Sequence, residues 1–305
     1  MAYRRKTIVH EFKWIPTKKN TDYILKAFKY KYNLIQGPVR SSKDYTSVPP
    51  FVERIKISQE SLFIVGAPKI DNAYKIVGQL IINYMGGLAI KEKVDEVDAI
   101  TFPWKNGQKK VILFVNGYSK NSGELIQGLT IGGAYLTEAN LLDKEFVAQV
   151  MNRMISAVNP FLFMTINPKG PKHWFYTEYR NKWIEESKTR KNWLNYQEFS
   201  MFDNPALTLQ QIEDAKAGRD PNSTSYKRDI LGLEVDPEGA IYTVSDYNIL
   251  EQPIDYSKYL RYITIMDPGQ SLSATIFLLA AVIFNQTEGR LELHILREYP
   301  HINNK

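Results

Sequence analysis

Tyr32-Asn33-Leu34-Ile35-Gln36 reads as a short strand, and it runs straight into Gly37-Pro38-Val39-Arg40-Ser41-Ser42-Lys43-Asp44. A glycine, four residues, a small residue and a lysine form the frame of a phosphate-binding loop, in which backbone N–H groups and a helix N-terminus cradle an anion. Asp44 to Ile57 supplies the following helix, with an interruption expected at Pro49 and Pro50. Strand, loop and helix in that order leave few fold classes open. In this frame Gly37, Ser41 and Ser42 line the phosphates, and Lys43 reaches the β and γ oxygens. The frame departs from the common pattern twice: Ser42 stands where glycine is usual, and Asp44 where a Ser or Thr normally binds Mg²⁺.

The rest of the chain alternates in the same way. Ser61–Val65, Lys110–Val115, Leu129–Leu136 and Phe161–Ile166 read as strands, whereas Tyr74–Tyr84 and Asp143–Ala157 have helical periodicity. Such alternation predicts an α/β fold with a mainly parallel sheet flanked by helices. The runs ending at Gln36, Leu136 and Ile166 are each followed by polar or loop-forming residues, and open α/β sheets bind ligands at the carboxyl ends of their strands. Further on, Trp174–Trp193 and Leu207–Ala217 read as helices, the second with Thr208 as N-cap, and Asp236–Gly239 as a turn. Arg261–Met266, Ala274–Phe284 and Leu291–Glu298 then form a meander of strands.

Two further elements give the loop a chemical context. A P-loop enzyme needs a buried strand that delivers an acidic residue beside the phosphates, and Leu136-Thr137-Glu138 supplies one. Glu138 would orient and deprotonate the attacking water, and Thr137 occupies the place of the Mg²⁺-associated aspartate. Thr165-Ile166-Asn167-Pro168, at the end of the next strand, is placed to sense the γ-phosphate. The two irregular positions also suggest an exchange. Asp44 puts the metal's carboxylate on the loop side and Thr137 puts a hydroxyl on the strand side, so the pair still offers one of each.

Taken in order, these motifs resemble the large subunit of tailed-phage or prophage terminases. The run Gly128 to Leu142 is similar to that family's Walker B segment, and Thr165 to Trp174 to its coupling motif. Asp203-Asn204-Pro205 with Leu207, and Tyr226 to Gly232 leading to Glu238–Tyr242, look like its linker signature. Met266-Asp267-Pro268-Gly269 resembles the first catalytic strand of its RNase H-like nuclease. The resemblance spans about Trp14 to the terminus.

It implies a P-loop ATPase domain over 1–224, a linker over 225–252 and the first strands of an RNase H-like domain over 253–305, a nuclease cut short. It further implies ATP and Mg²⁺ as cofactors, with Mg²⁺ or Mn²⁺ serving the complete nuclease, whose first metal-binding carboxylate would be Asp267. Arg40, by its matching position, becomes a candidate transition-state cation. Trp14 and Pro16 stand where the family contacts adenine, with Asn20 in place of the usual glutamine. The implied partners are double-stranded DNA, a portal protein, a procapsid, a small terminase subunit and further copies of the chain in a ring. The implied location is the host-cell cytoplasm and, transiently, the procapsid.

Charge and composition agree with that reading without requiring it. The net charge of +6 suits a polyanionic partner, and the absence of cysteine excludes disulfides and thiolate metal sites. His10, His173, His294 and His301 have no metal-ligand spacing, and Glu292, His294 and Glu298 read as one solvated face of the last strand. The longest apolar run, Ala274–Phe284, is too short to span a membrane. Two rival readings stand beside the motor: a decayed prophage terminase that keeps the fold as a DNA-binding or assembly piece, and another P-loop DNA motor such as a helicase.

Overall fold

The computed structural model describes residues 14–236, 255–267 and 275–301. The chain divides into two compact units, Met1–Ala240 and Ile241–Lys305. In the first unit the helices are α1 Lys18–Ala27, α2 Lys43–Ile57, α3 Ile70–Met85, α4 Lys144–Arg153, α5 Asn181–Ser187, α6 Leu209–Lys216 and α7 Thr224–Asp229. Its strands are β1 Tyr32–Gln36, β2 Leu62–Ala67, β3 Ile90–Val94, β4 Val97–Pro103, β5 Lys109–Asn116, β6 Gly133–Leu136, β7 Phe161–Ile166 and β8 Leu194–Glu198.

These strands make one eight-stranded sheet in the order β3-β4-β5-β2-β6-β7-β1-β8. From β5 to β8 all neighbours are parallel, and β3 and β4 add an antiparallel edge. Successive residues of a strand face opposite sides, which splits the core in two. Ile35, Val65, Tyr135 and Phe163 pack beneath α1, α2 and α3, whereas Leu34, Ile64, Leu136 and Met164 pack against α4 and the Phe175–Trp183 segment. The strands at the sheet centre are buried on both sides, so they read as continuous apolar runs.

The mainly parallel α/β sheet is as the sequence predicts; several elements differ in detail. Helix α2 is not interrupted at Pro49 and Pro50 but runs through them. The proline ring fixes φ near its helical value, and buried Val48, Phe51 and Val52 hold the turn against the core, which offsets the lost backbone bonds. The strand read over Leu129–Leu136 is confined to β6, and just before it Gly132 packs so close to Glu60 and Phe63 that no side chain would fit there. The helix read over Trp174–Trp193 ends at Ser187, passes a π-helical turn at Tyr176–Arg180, and gives way to β8. The hairpin of β3 and β4 has no counterpart in the sequence reading. The turn at Asp236–Gly239 falls outside the described residues beyond position 236.

In the second unit β9 Arg261–Asp267, β10 Thr275–Asn285 and β11 Arg290–His301 form an antiparallel sheet in the order β11-β10-β9. A bulge at Leu279/Ala280 shifts the register, so that Arg297 rather than Glu298 follows Glu292 and His294 on one face. That face is not simply solvated: Glu292 Oε2 and His294 Nε2 lie 3.2 Å apart, Asn285 Nδ2 donates to Glu292 Oε1, and Leu291 and Leu293 are the exposed neighbours.

Candidate active site

The carboxyl ends of β1, β2, β6 and β7 surround a cavity of about 260 Å³. Arg40, Lys43 and Asp44 line it from the loop and α2, Thr137 and Glu138 from the end of β6, and Thr165 and Asn167 from the end of β7. Seven residues chosen from separate motifs thus meet in one place.

The loop is held in shape by left-handed turns and by its neighbours. Arg40 and Ser42 both have φ 65°, a conformation that costs a residue with a Cβ about 1 kcal/mol or more. Gly37 has no room for a side chain, since a Cβ there would lie 2.7 Å from Ser41 Oγ and 2.8 Å from Phe199 O. Ser41 Oγ donates to Pro38 O at 2.8 Å, and Asn204 Nδ2 donates to Arg40 O at 2.7 Å. The Ser41 hydroxyl therefore braces the loop from within, and Ser42 Oγ donates outward to Asp203 O at 3.4 Å. What they leave for a ligand is backbone N–H at the start of α2.

Lys43 is almost fully buried and donates three hydrogen bonds, to Gly37 O at 2.8 Å, Pro38 O at 2.7 Å and Asn167 Oδ1 at 3.0 Å. Burial lowers its pKa to about 8, against the opposing pull of Asp44 and Glu138. Asn167 faces both ways, for its Nδ2 donates to Glu138 Oε1 at 3.3 Å. One amide thus joins the loop lysine to the acid on β6. Glu138 itself sits in the left-handed region, φ 50° and ψ 43°, which turns its carboxylate out of the strand and into the cavity.

Asp44 and Thr137 are near neighbours through Thr165, whose Oγ1 lies 3.3 Å from Asp44 Oδ1 and 3.5 Å from Thr137 Oγ1. The donor set of one carboxylate and two hydroxyls is all hard oxygen, the chemistry Mg²⁺ prefers. Asn20 is placed differently from its role as an adenine contact. It is fully buried, closes the N-terminus of α1 through Thr17, and donates to Thr46 Oγ1 at 3.0 Å, so its amide ties α1 to α2. Asp267 ends β9 in the second unit, next to residues outside the described set.

Sequence reasoning missed several residues that this geometry brings in. Tyr135 Oη donates to Asp44 Oδ1 at 2.7 Å, Asn140 Nδ2 donates to Asn167 O at 2.7 Å, and Lys69 lines the cavity from the end of β2. Asn140 follows Glu138 closely enough for the motif itself to have signalled it. Tyr135 carries the weaker signal of sharing a strand face with Thr137.

Residues 31–233, well over half of the chain, match the family described as phage terminase large subunit. The chain belongs to that family. Among solved structures it is similar to the large terminase of a thermophilic bacteriophage, at TM-score 0.63 and 24% identity, over 94% of this chain and 68% of that one. It is also similar to the HK97 bacteriophage large terminase, at TM-score 0.55 and 14% identity, over 92% of this chain and 62% of that one. Identities this low establish the fold, that of a P-loop NTPase, and the terminase family match rests on residues 31–233. No curated protein sequence matches the chain.

Proposed function

We propose that this terminase chain hydrolyses ATP with Mg²⁺ and couples the reaction to the movement of double-stranded DNA into a viral procapsid. The observation that carries the reading is the convergence of Lys43, Glu138 and Asn167 on one cavity at the carboxyl ends of the strands. Its family supports it, as do structures of the thermophilic phage's large terminase in complex with ADP and with ATP-γ-S.

In this reading Lys43 exchanges its loop carbonyls for phosphate oxygens, and the N–H groups at the start of α2 take the rest of the negative charge. Glu138 accepts the proton of the attacking water. Asn167, bonded to both, registers whether Lys43 is held by phosphate or by the loop. Arg40, exposed at the cavity rim, stabilises charge as it develops on the transferred phosphoryl group. Asp44, with Thr137 and Thr165, would hold Mg²⁺, which when bound neutralises the charge on the β and γ oxygens. The unit that begins at Ile241 supplies, through Asp267, one carboxylate of a divalent-metal site for DNA cleavage. The portal, procapsid, small subunit and ring of copies belong to the same proposal, as does action in the host cytoplasm.

Measured ATP hydrolysis tests it. The wild-type chain should turn over ATP only with Mg²⁺, Lys43→Ala should lose nucleotide affinity itself, and Glu138→Gln should bind nucleotide normally but hydrolyse it at least about 100-fold more slowly. Normal ATP affinity in Lys43→Ala would remove the loop from its role, and unchanged turnover in Glu138→Gln would remove the base.

A further inference from the structure

Helix α2 and strand β6 meet through a phenol. Tyr135 is fully buried, and its Oη lies 2.7 Å from Asp44 Oδ1 and 2.7 Å from Ser47 Oγ. Asp44 and Ser47 are three residues apart and so share a helix face; Tyr135 and Thr137 are two apart and share the strand face turned toward it. Ser47 Oγ also lies 2.7 Å from Lys43 O, so its single hydrogen is shared between that carbonyl and Tyr135 Oη. A carboxylate only accepts, so the phenol hydrogen goes to Asp44.

Oδ1 of Asp44 accepts from both Tyr135 and Thr165, whereas Oδ2 makes no hydrogen bond among the described residues and the side chain lines the cavity. A carboxylate in the place of the usual loop hydroxyl has two oxygens and free rotation about its terminal bond. Here one oxygen is fixed from behind, and the rotation is removed. We propose that Tyr135 is the positioning residue for the metal-binding carboxylate of this site, holding Asp44 so that Oδ2 alone is presented to the Mg²⁺ that accompanies ATP.

The inference rests on the reading of the cavity as a Mg²⁺–nucleotide site, and the experiment separates the two. Mn²⁺, with ATP-γ-S present, would be titrated into the intact chain and bound metal followed by its electron paramagnetic resonance signal. Tyr135→Phe removes only the hydroxyl and should weaken Mn²⁺ binding roughly tenfold, with metal-free ATP-γ-S affinity unchanged. In an Asp44→Thr background the phenol has no carboxylate to hold, so adding Tyr135→Phe should produce no further loss. If Tyr135 served packing alone, the two losses would multiply. Equal Mn²⁺ affinity in wild type and Tyr135→Phe overturns the proposal while leaving the site intact. A wild-type chain that binds ATP-γ-S but retains no Mn²⁺ overturns both.

Discussion

Lys43 makes three hydrogen bonds to protein acceptors, and each must be exchanged when a triphosphate enters. Its pKa of about 8 in the ligand-free loop comes from burial, and phosphate oxygens would raise it toward the ordinary lysine value. Above pH 8 nucleotide binding should therefore take up a proton, and affinity should fall with rising pH by up to about tenfold per unit. Calorimetry at pH 8.5 in buffers of different ionisation enthalpy measures this uptake, and Lys43→Arg should abolish it. A second prediction concerns Asp44 and Thr137, which Thr165 Oγ1 joins at 3.3 and 3.5 Å. If carboxylate and hydroxyl have exchanged places, Asp44→Thr should cut Mg²⁺-dependent hydrolysis roughly 10- to 100-fold. Adding Thr137→Asp should then restore a substantial part, beyond the product of the single effects. A double variant no better than Asp44→Thr refutes the exchange. Lys43, Glu138 and Asn167 were legible as candidates because the glycine loop before α2 and the ends of β6 and β7 carry recognisable motifs. Tyr135 and Ser47 were not, since their role depends on which faces of β6 and α2 meet, and sequence spacing carries no record of that.

At the scale of elements, β1 and β7 could be bounded to the residue because both are interior strands buried along their whole length. The edges were harder. Strand β3 is Ile-Lys-Glu-Lys-Val with mostly exposed positions, a pattern that a lysine-rich loop would share. Strand β8 follows an aromatic, basic stretch whose helical periodicity is real only as far as Ser187. What joins that stretch to the site is a polar cluster. Arg180, nearly buried, donates to Gln36 Oε1 at 3.1 Å and pairs with Glu234, and Gln36 Nε2 donates to Glu234 Oε1 at 3.0 Å. Gln36 is the residue before Gly37, so the π-helical turn, the P-loop strand and the segment after α7 share one network. Arg180→Met would leave the Glu234 charge unpaired and should cost about 3 kcal/mol of unfolding free energy, read from urea denaturation. Arg180→Met with Glu234→Leu should recover most of it. Equal losses in the single and double variants would show that packing, not the ion pair, matters there.

For the whole molecule the consequential quantity is charge. Lys and Arg total 39 against 33 Asp and Glu, a net of +6 that favours a polyanion without choosing among its sequences. A packaging motor must accept every sequence it meets, so its DNA contacts should be to phosphates, and phosphate contacts release counterions. Stimulation of ATP hydrolysis by duplexes of unrelated sequence should then be equal. The logarithm of the apparent DNA affinity should fall linearly with the logarithm of salt concentration, by about 0.9 for each phosphate neutralised. Single strands carry less charge per unit length and a different shape, and they should stimulate less at equal nucleotide concentration. The measurement is ATP turnover against DNA concentration at several salt concentrations, with both DNA forms. A strong preference for single strands would turn the reading toward a helicase-like motor. DNA binding without any change in turnover would leave an assembly piece that keeps the fold and has lost the coupling.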